Sequence, residues 1–325
     1  MNPFSENPAE TVASLGEQKL LARIRRWLGS AAPAAPAGMG DDCAVLPASK
    51  PPARTRGKPV APAALVTVDP VIFGEHFDAS VTPRAVGRKL LRRNLSDIAA
   101  MGGRPRAAVL ALALDPRTRL DWLEAFYRGL AADARRFGVP LVGGDLATHR
   151  GGLVASLTLL GETTAPGARA LTRSGARVGD FIAVTGRLGG SLPSGRHHSF
   201  TPRLAEGRWL ARRPEVVALM DLSDGLAKDI HSLAPARARP LLFGELLPRH
   251  PRVDLRGALT DGEDYELLLA LRGTPAALQT LLADWRRAFP RLPLTVVGQF
   301  APLAASPADH GALDLSAYHG FEHFS

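Results

Sequence analysis

The alternation of short apolar runs with amphipathic helical patterns is the feature that most constrains the fold of this chain. Runs of β-branched and other apolar residues predict strands, and stretches with apolar residues three or four positions apart predict helices. The predicted strands cover 64–69, 107–114, 140–144, 152–162, 181–186, 216–220, 239–246, 264–271 and 294–300, and the predicted helices cover 14–28, 82–102, 119–137, a segment starting at Ser223 or Asp224, and 274–288. The pattern indicates a mixed α/β fold.

The chain divides into two such blocks. A length of 325 residues with 46% hydrophobic content is enough for two domains, each with its own core. The first block ends near residue 163, and the segment TTAPGARALTRSGARVGD leads into the second. Two Pro-rich segments, GSAAPAAPAG and PASKPPARTRGKPVAPA, are expected to be loops. We therefore predict domains over 1–163 and 164–325.

Composition argues against several classes of protein. The net charge of +9 comes almost entirely from arginines scattered along the chain, and aromatic residues make up only 6%, so a nucleic-acid-binding surface is not expected. No apolar run is long enough to cross a bilayer, the N-terminus lacks the layout of a signal peptide, and Cys43 is the only cysteine. We expect a cytoplasmic protein without an internal disulfide or a membrane segment.

Aspartates occur where predicted elements end. In ALMDLSDGLAKDI, Asp221 follows a predicted strand directly and Asp224 lies at the expected helix start. Ligands often bind at the carboxyl ends of strands in sheets covered by helices. The alternative is that both residues only cap the helix.

Further aspartates follow the same pattern. Asp97 lies on the predicted 82–102 helix, on the face that also carries Val86, Leu90, Asn94 and Met101. Asp41, Asp42, Asp69 and Asp145 each follow a glycine pattern or an apolar run. Carboxylates brought within about 4 Å of one another would repel by about 4 kcal/mol at an effective dielectric constant near 20, unless a cation neutralises them. Carboxylate oxygens favour Mg²⁺, which in turn would hold a polyphosphate.

Nine motifs, in this order, resemble those of the thiamine-monophosphate kinase family. They are GMGDDCAVL, TVDPVIFGEHF, NLSDIAAMGG, VGGDLATHR, LTRSGARVGD, VTGRLGGS, DLSDGLAKDI, DGEDYELLLAL and GFEHF. Each motif alone is weak, but together they extend over nearly the whole chain. The family belongs to the aminoimidazole ribonucleotide synthetase-like superfamily.

The resemblance implies a fold, an activity and a set of site residues. The implied fold has an N-terminal sheet domain that forms a homodimer and a C-terminal α/β domain. The implied activity is phosphorylation of thiamine monophosphate to thiamine diphosphate, with ATP as co-substrate and several Mg²⁺ ions. The implied metal ligands are Asp42, Thr67, Asp69, Asp97, Asp145, Asp221 and Asp224; the nucleotide contacts are Gly144, Asp145, Arg173 and Ser223; the substrate contacts are His76, Glu263 and Phe321; and the residues expected to carry catalysis are Asp42, Asp97, Asp145, Asp224 and Arg173.

Several positions depart from the family pattern. Val68 and Leu146 stand where the family usually has threonine, Asp261 is introduced by TDGED, and two segments of the second block are short. The metal-binding pattern is retained, whereas its surroundings differ. Two alternatives therefore stay open: a non-catalytic protein that binds Mg²⁺-ATP, and a related superfamily enzyme that acts on another substrate.

Overall fold

The computed structural model describes residues 41–46, 62–164 and 169–322, together with positions 7, 19 and 22. Within these residues, two five-stranded sheets are present and helices pack on them. The mixed α/β fold predicted from the sequence is confirmed. Strands of the first sheet end by Thr163 and those of the second begin at Phe181, while the domain boundary itself stays a prediction.

The first sheet has the strand order β1-β2-β5-β3-β4, and only β3 and β4 run parallel. Two long helices, α1 and α2, contribute buried side chains to the core on one face of this sheet. The bounds are Ala44–Leu46 (β1), Ala64–Ile72 (β2), Pro83–Ala100 (α1), Gly103–Leu114 (β3), Leu120–Phe137 (α2), Leu141–Thr148 (β4) and Leu153–Thr163 (β5).

Local sequence signals explain where α1 and α2 start and stop. The Thr82 hydroxyl accepts a hydrogen bond from the backbone N–H of Ala85, and Pro83 occupies the first turn of α1, where no N–H is needed. Helix α2 ends at Gly138, whose φ of 68° lies in the left-handed region that glycine tolerates. Both helices match the ranges predicted from the sequence.

The other face of the first sheet is apolar and open. Val68, Val109 and Leu160 are 58%, 37% and 41% exposed, and their register places them on the same side of the sheet. The edge strand β4 is exposed along most of its length. A monomer rarely leaves so continuous an apolar surface in water.

The second sheet has the order β7-β9-β6-β10-β8 and is entirely antiparallel. Its core contains buried aliphatic side chains from the strands and from α4. The bounds are Phe181–Thr185 (β6), Leu204–Leu210 (α3), Val216–Asp221 (β7), Leu226–Leu233 (α4), Ala238–Leu242 (β8), Leu255–Thr260 (α5), Leu267–Leu271 (β9), Pro275–Ala288 (α6) and Leu294–Pro302 (β10).

Close packing of α1 against α3 joins the two halves of the chain. A Cβ atom at Gly207 would lie 2.0 Å from the backbone oxygen of Ala99, so only glycine allows this approach. Nearby, the buried Arg92 side chain pairs with Asp133 at 2.5 Å and donates to the backbone oxygen of Phe200 at 2.7 Å. Helix α1 therefore contacts α2 in the first half of the chain and α3 in the second half.

Several predicted boundaries are wrong; among them, the strand expected over 239–246 ends at Leu242, and residues 244–246 form a 3₁₀ turn. The helix expected from Ser223 or Asp224 begins at Leu226, because Gly225 adopts a φ of 105° and interrupts the helical geometry. The strand expected from Asp264 begins at Leu267, after residues with positive φ. The strand expected over 140–144 continues to Thr148, so the Gly143-Gly144 pair lies inside β4 and not at its end.

The predicted helix over 14–28 lies outside the described residues except for positions 19 and 22. The two Pro-rich segments also lie outside them, apart from residues 62 and 63. None of the described helices combines the length and hydrophobicity that a bilayer crossing requires.

Candidate active site

Three aspartates from distant parts of the chain meet at one point. Asp42 precedes β1, Asp97 lies on α1, and Asp221 is the last residue of β7. One carboxylate oxygen from each lies within 4.8 Å of those of the other two. We call Asp42, Asp97 and Asp221 the acidic cluster. The convergence arises because the end of α1 and the end of β7 pack next to the start of the first sheet.

Burial and mutual repulsion control the protonation of Asp97 and Asp221. Burial, followed by the charges of Asp69 and Asp221, raises the pKa of Asp97 well above its ordinary value. Burial and the charge of Asp42 likewise raise the pKa of Asp221. The Thr67 hydroxyl donates to Asp97, and the Ser96 hydroxyl donates to Asp221 Oδ2 at 2.6 Å. Without a cation, these carboxylates therefore bind protons at unusually high pH.

The donors of the acidic cluster fit a hard divalent cation. All three are carboxylates, and the only cysteine, Cys43, is buried with a thiol pKa raised by burial and by nearby aspartates. Carboxylate oxygens without soft ligands suit Mg²⁺. A cation would also relieve the repulsion that raises the pKa of Asp97 and Asp221.

Two further predicted metal ligands border the acidic cluster in the same cleft. The backbone N–H of Asp69 donates to Asn94 Oδ1 at 3.1 Å, and a carboxylate oxygen of Asp69 lies 3.5 Å from Arg93 Nη2. Asp224 pairs with Lys228 at 2.8 Å. A lysine therefore already compensates the charge of Asp224, as Arg173 does for Asp42 within the acidic cluster.

Arg173 and Ser223 lie next to the acidic cluster, as expected for nucleotide contacts. Arg173 Nη2 donates to Asp42 Oδ1 at 2.9 Å, and its backbone N–H donates to Asp41 Oδ1 at 3.0 Å. The backbone N–H groups of Ser223 and Asp224 both donate to Asp229 Oδ2 at 3.0 Å. A side chain of α4 thus fixes the loop that follows β7.

His76 and Glu263 are connected through one buried lysine. Lys89 Nζ donates to Glu263 Oε2 at 2.7 Å and to the backbone oxygen of His76 at 3.0 Å, while the Tyr265 hydroxyl donates to Glu263 Oε1 at 3.2 Å. His76 Nδ1 accepts from the backbone N–H of Ile72 at 3.3 Å. An accepting Nδ1 indicates a neutral imidazole.

Phe321 is placed by the loop that carries Asp224. Its backbone N–H donates to the backbone oxygen of Asp224 at 2.9 Å, and its backbone oxygen accepts from Lys228 Nζ at 2.6 Å. The side chain remains 51% exposed, so its ring faces solvent and the cleft.

One open cleft of about 1510 Å³ contains nearly all of the predicted site. It is lined by Asp42, Thr67, Asp69, His76, Asp97, Arg173, Asp221, Ser223, Asp224, Glu263 and Phe321. The structure therefore brings together residues that the sequence separates widely.

Gly144 and Asp145 are the two predicted residues that do not line this cleft. They lie on β4, and three strand steps separate them from β2, which carries Asp69. The register also places Asp145 level with Pro70, Ser156 and Ala111, on the open apolar face of the sheet. Within one chain, Asp145 is therefore on the opposite side of the sheet from the acidic cluster.

Sequence reasoning missed four residues that shape the site: Lys89, Arg93, Asp229 and Tyr265. The spacing of Lys89, Arg93 and Asp97 was the available signal, since residues four apart share a helix face. Asp229 follows Asp224 closely in the sequence. However, its hydrogen bonds from the backbone N–H groups of Ser223 and Asp224 depend on the conformation of Gly225.

Comparison with known proteins agrees with this geometry. Residues 40–163 match the family model "AIR synthase related protein, N-terminal domain". The thiamine-monophosphate kinase of Rhodopirellula baltica is 34% identical over 87% of this chain and 89% of its own length, and that of Escherichia coli K12 is 36% identical over 78% and 81%. The chain belongs to the thiamine-monophosphate kinase family.

Solved structures of thiamine-monophosphate kinases align with most of this chain. The structure of AaThiL complexed with AMPPCP and TMP aligns with a TM-score of 0.68 and 27% identity, over 92% of this chain and 94% of that one. The thiamine-monophosphate kinase from Stenotrophomonas maltophilia K279a aligns with a TM-score of 0.63 and 30% identity, over 87% and 93%. Hydrogenase maturation protein HypE in complex with ATP aligns at 0.58 with 19% identity over 74% and 77%, which indicates a common fold.

Proposed function

We propose that this protein transfers the γ-phosphoryl group of ATP to the phosphate of thiamine monophosphate, which gives ADP and thiamine diphosphate. The observation that carries the proposal is a single cleft whose walls carry the acidic cluster together with His76, Glu263 and Phe321. Membership of the family and the similarity to AaThiL complexed with AMPPCP and TMP support it. We infer that the protein acts in the cytoplasm, without a nucleic-acid or membrane partner.

The acidic end of the cleft would hold Mg²⁺, which neutralises charge on the transferred phosphoryl group when it is bound. The carboxylates that this cation would neutralise belong to the acidic cluster. Asp69, Asp224 and the Thr67 hydroxyl lie beside the cluster. Arg173 and Ser223 would contact the nucleotide. The residues that we propose as metal ligands are Asp42, Thr67, Asp69, Asp97, Asp145, Asp221 and Asp224.

The proposed reaction does not require a strong general base. The acceptor is a phosphate oxygen that is already ionised near neutral pH, so alignment and charge neutralisation account for most of the rate. Glu263 is unsuited to proton transfer, because Lys89 and Tyr265 already donate to both of its oxygens. As half of an ion pair with Lys89, it is better suited to act as a fixed hydrogen-bond acceptor on the wall of the cleft.

Phe321 and His76 would complete the substrate end of the cleft. The exposed ring of Phe321 offers a flat apolar surface for an aromatic heterocycle. The neutral imidazole of His76 lines the same cleft and adds no charge that would repel a cation.

We further propose that the protein is a homodimer formed through the open apolar face of the first sheet. That face carries Val68, Val109 and Leu160 together with Asp145, and dimerisation would remove it from water. Asp145 and Gly144 would then contribute to the nucleotide site of the second copy, because they cannot reach the acidic cluster of their own chain.

A substrate comparison tests the proposed function. Purified protein is incubated with Mg²⁺-ATP and thiamine monophosphate, thiamine or aminoimidazole ribonucleotide precursors, and ADP and thiamine diphosphate are quantified by chromatography. We expect equal amounts of ADP and thiamine diphosphate from thiamine monophosphate and negligible turnover of thiamine. Binding of ATP without formation of thiamine diphosphate would overturn the kinase assignment and favour a non-catalytic nucleotide-binding protein.

A further inference from the structure

Helix α1 places three charged residues in a row along the cleft. Lys89, Arg93 and Asp97 are four residues apart, so their Cα atoms follow one another at about 6 Å on one helix face. Lys89 contacts Glu263, and Asp97 belongs to the acidic cluster. Arg93 lies between them and lines the cleft.

Arg93 is buried but poorly satisfied. Its side chain is only 12% exposed. Nη1 donates to the backbone oxygen of Pro70 at 2.9 Å, and Nη2 lies 3.5 Å from Asp69 Oδ1, which is too long for a strong charge-assisted bond. Nε has no acceptor among the residues that the structure describes. A guanidinium group has five N–H donors, so Nη1 and Nη2 each keep one N–H for a ligand, whereas Nε is enclosed by the protein.

Unsatisfied donors on a buried cation are costly, and a ligand that satisfies them gains affinity. The flat, forked guanidinium group matches the oxygens of a phosphate. The rest of this part of the cleft consists largely of carboxylates, which repel an anionic phosphate. Arg93 is the positive side chain placed between the carboxylates of Asp69 and Asp97 and that of Glu263.

We infer that Arg93 binds the phosphate of the acceptor substrate and holds it between the substrate end of the cleft and the acidic cluster. This inference rests on the proposed function, because it takes the acceptor to be a phosphate carried by a cationic heterocycle. The other role open to Arg93 is structural: it would serve only as a counter-ion that keeps Asp69 ionised.

Binding measurements separate these roles without depending on catalysis. Calorimetry with excess Mg²⁺ and no ATP compares thiamine monophosphate with thiamine, so that the ratio of the two affinities reports the contribution of the phosphate. In Arg93→Gln, we expect affinity for thiamine monophosphate to fall about 10- to 100-fold and affinity for thiamine to stay within about twofold. Arg93→Lys keeps the charge but loses the fork, so an intermediate loss is expected.

Arg88→Gln is the matched control, since Arg88 is exposed on the same helix and does not line the cleft. It should bind both ligands like the wild type. Thermal unfolding without ligands shows whether each variant is folded. Steady-state kinetics should give a raised KM for thiamine monophosphate and an unchanged KM for ATP in Arg93→Gln.

Each remaining outcome contradicts the inference in a recognisable way. An unchanged affinity ratio in Arg93→Gln, with a shifted Mg²⁺ requirement, would assign Arg93 to Asp69 alone. An equal loss of affinity for both ligands would indicate a general loss of cleft structure. If the wild type neither binds nor phosphorylates thiamine monophosphate, the proposed function fails, and the inference fails with it.

Discussion

Glu263 is fixed by more contacts than a carboxylate that moves to transfer a proton would need. Its φ of 51° is unfavourable for a residue with a side chain. Its backbone N–H donates to Ser223 O and its backbone oxygen accepts from Ser191 Oγ, both at 2.7 Å, while Lys89 and Tyr265 occupy its carboxylate. Contacts from three other segments and from the neighbouring Tyr265 thus fix one carboxylate at the cleft wall.

Removal of Lys89 should reverse the pH dependence that this carboxylate contributes to stability. Burial acts to raise the pKa of Glu263, but Lys89, followed by Arg93 and His197, outweighs burial and holds the pKa below the ordinary value of 4.5. In the wild type, the contribution is therefore complete above pH 4.5 and is lost as the pH falls through the lowered pKa. In Lys89→Met, burial is opposed only by the smaller effects of Arg93 and His197, so we expect the pKa to rise above 4.5 and stability to increase as the pH falls through it.

Urea denaturation at several pH values measures this effect. At neutral pH, we expect Lys89→Met to lose about 3 kcal/mol of unfolding free energy, and the deficit should shrink towards pH 4. The double variant Lys89→Met with Glu263→Gln should recover part of the loss, because neither charge is then left unpaired. A deficit that is independent of pH would mean that lost packing, and not the ion pair, is responsible.

At the scale of elements, the acidic cluster forms where α1, β7 and the segment before β1 end close together. Helix α1 could be predicted because Thr82-Pro83 and Gly102-Gly103 mark its ends. The start of α4 could not, since it depends on Gly225 and on Asp229, which accepts from backbone N–H groups outside the helix. The convergence of Asp42, Asp97 and Asp221 depends on long-range packing, which no local pattern specifies.

Asp221→Asn should stabilise the metal-free protein. Asparagine can still accept from Ser96, whereas one negative charge leaves the acidic cluster. Since proton binding already relieves part of a repulsion of up to about 4 kcal/mol, we expect a gain of about 1 to 3 kcal/mol without divalent cations. The stabilisation that Mg²⁺ gives the wild type should be reduced in this variant.

Thermal unfolding with EDTA and with excess Mg²⁺ tests both parts. Asp309→Asn, a change at an exposed position, serves as the control. Lower stability in EDTA together with an unaltered response to Mg²⁺ would show that Asp221 supports the β7 terminus and does not bind the cation. Asp224 is less informative, because Lys228 already compensates its charge.

At the scale of the whole molecule, the apolar face of the first sheet and the position of Asp145 have one explanation in common. The alternating pattern of 152–162 predicted a strand with two different faces, and β5 has that character. Sequence periodicity could not indicate that β4 lies at the edge of the sheet, three strand steps from β2. For that reason, sequence patterns alone group Asp145 with metal ligands from which the sheet separates it within one chain.

Mixing of inactive subunits tests whether Asp145 acts across a dimer. Asp145→Asn and Asp97→Asn should each be inactive as pure proteins. After they are mixed and allowed to exchange subunits, half of the dimers are mixed, and one of the two sites in each is intact. We therefore expect about a quarter of wild-type activity to return. Light scattering checks that the wild type is a dimer, and no recovery after proven exchange would place Asp145 in its own chain's site.

The single helix that carries Lys89, Arg93 and Asp97 also fixes a length. An α-helix extends by a constant 1.5 Å per residue and hardly stretches. The distance between Glu263 and the acidic cluster is therefore fixed by a rigid helix and not by a flexible loop. An acceptor whose side arm is one methylene longer than that of thiamine monophosphate should still bind its ring, but its phosphate would overshoot Arg93. We expect such an analogue to compete with the substrate and to be phosphorylated poorly.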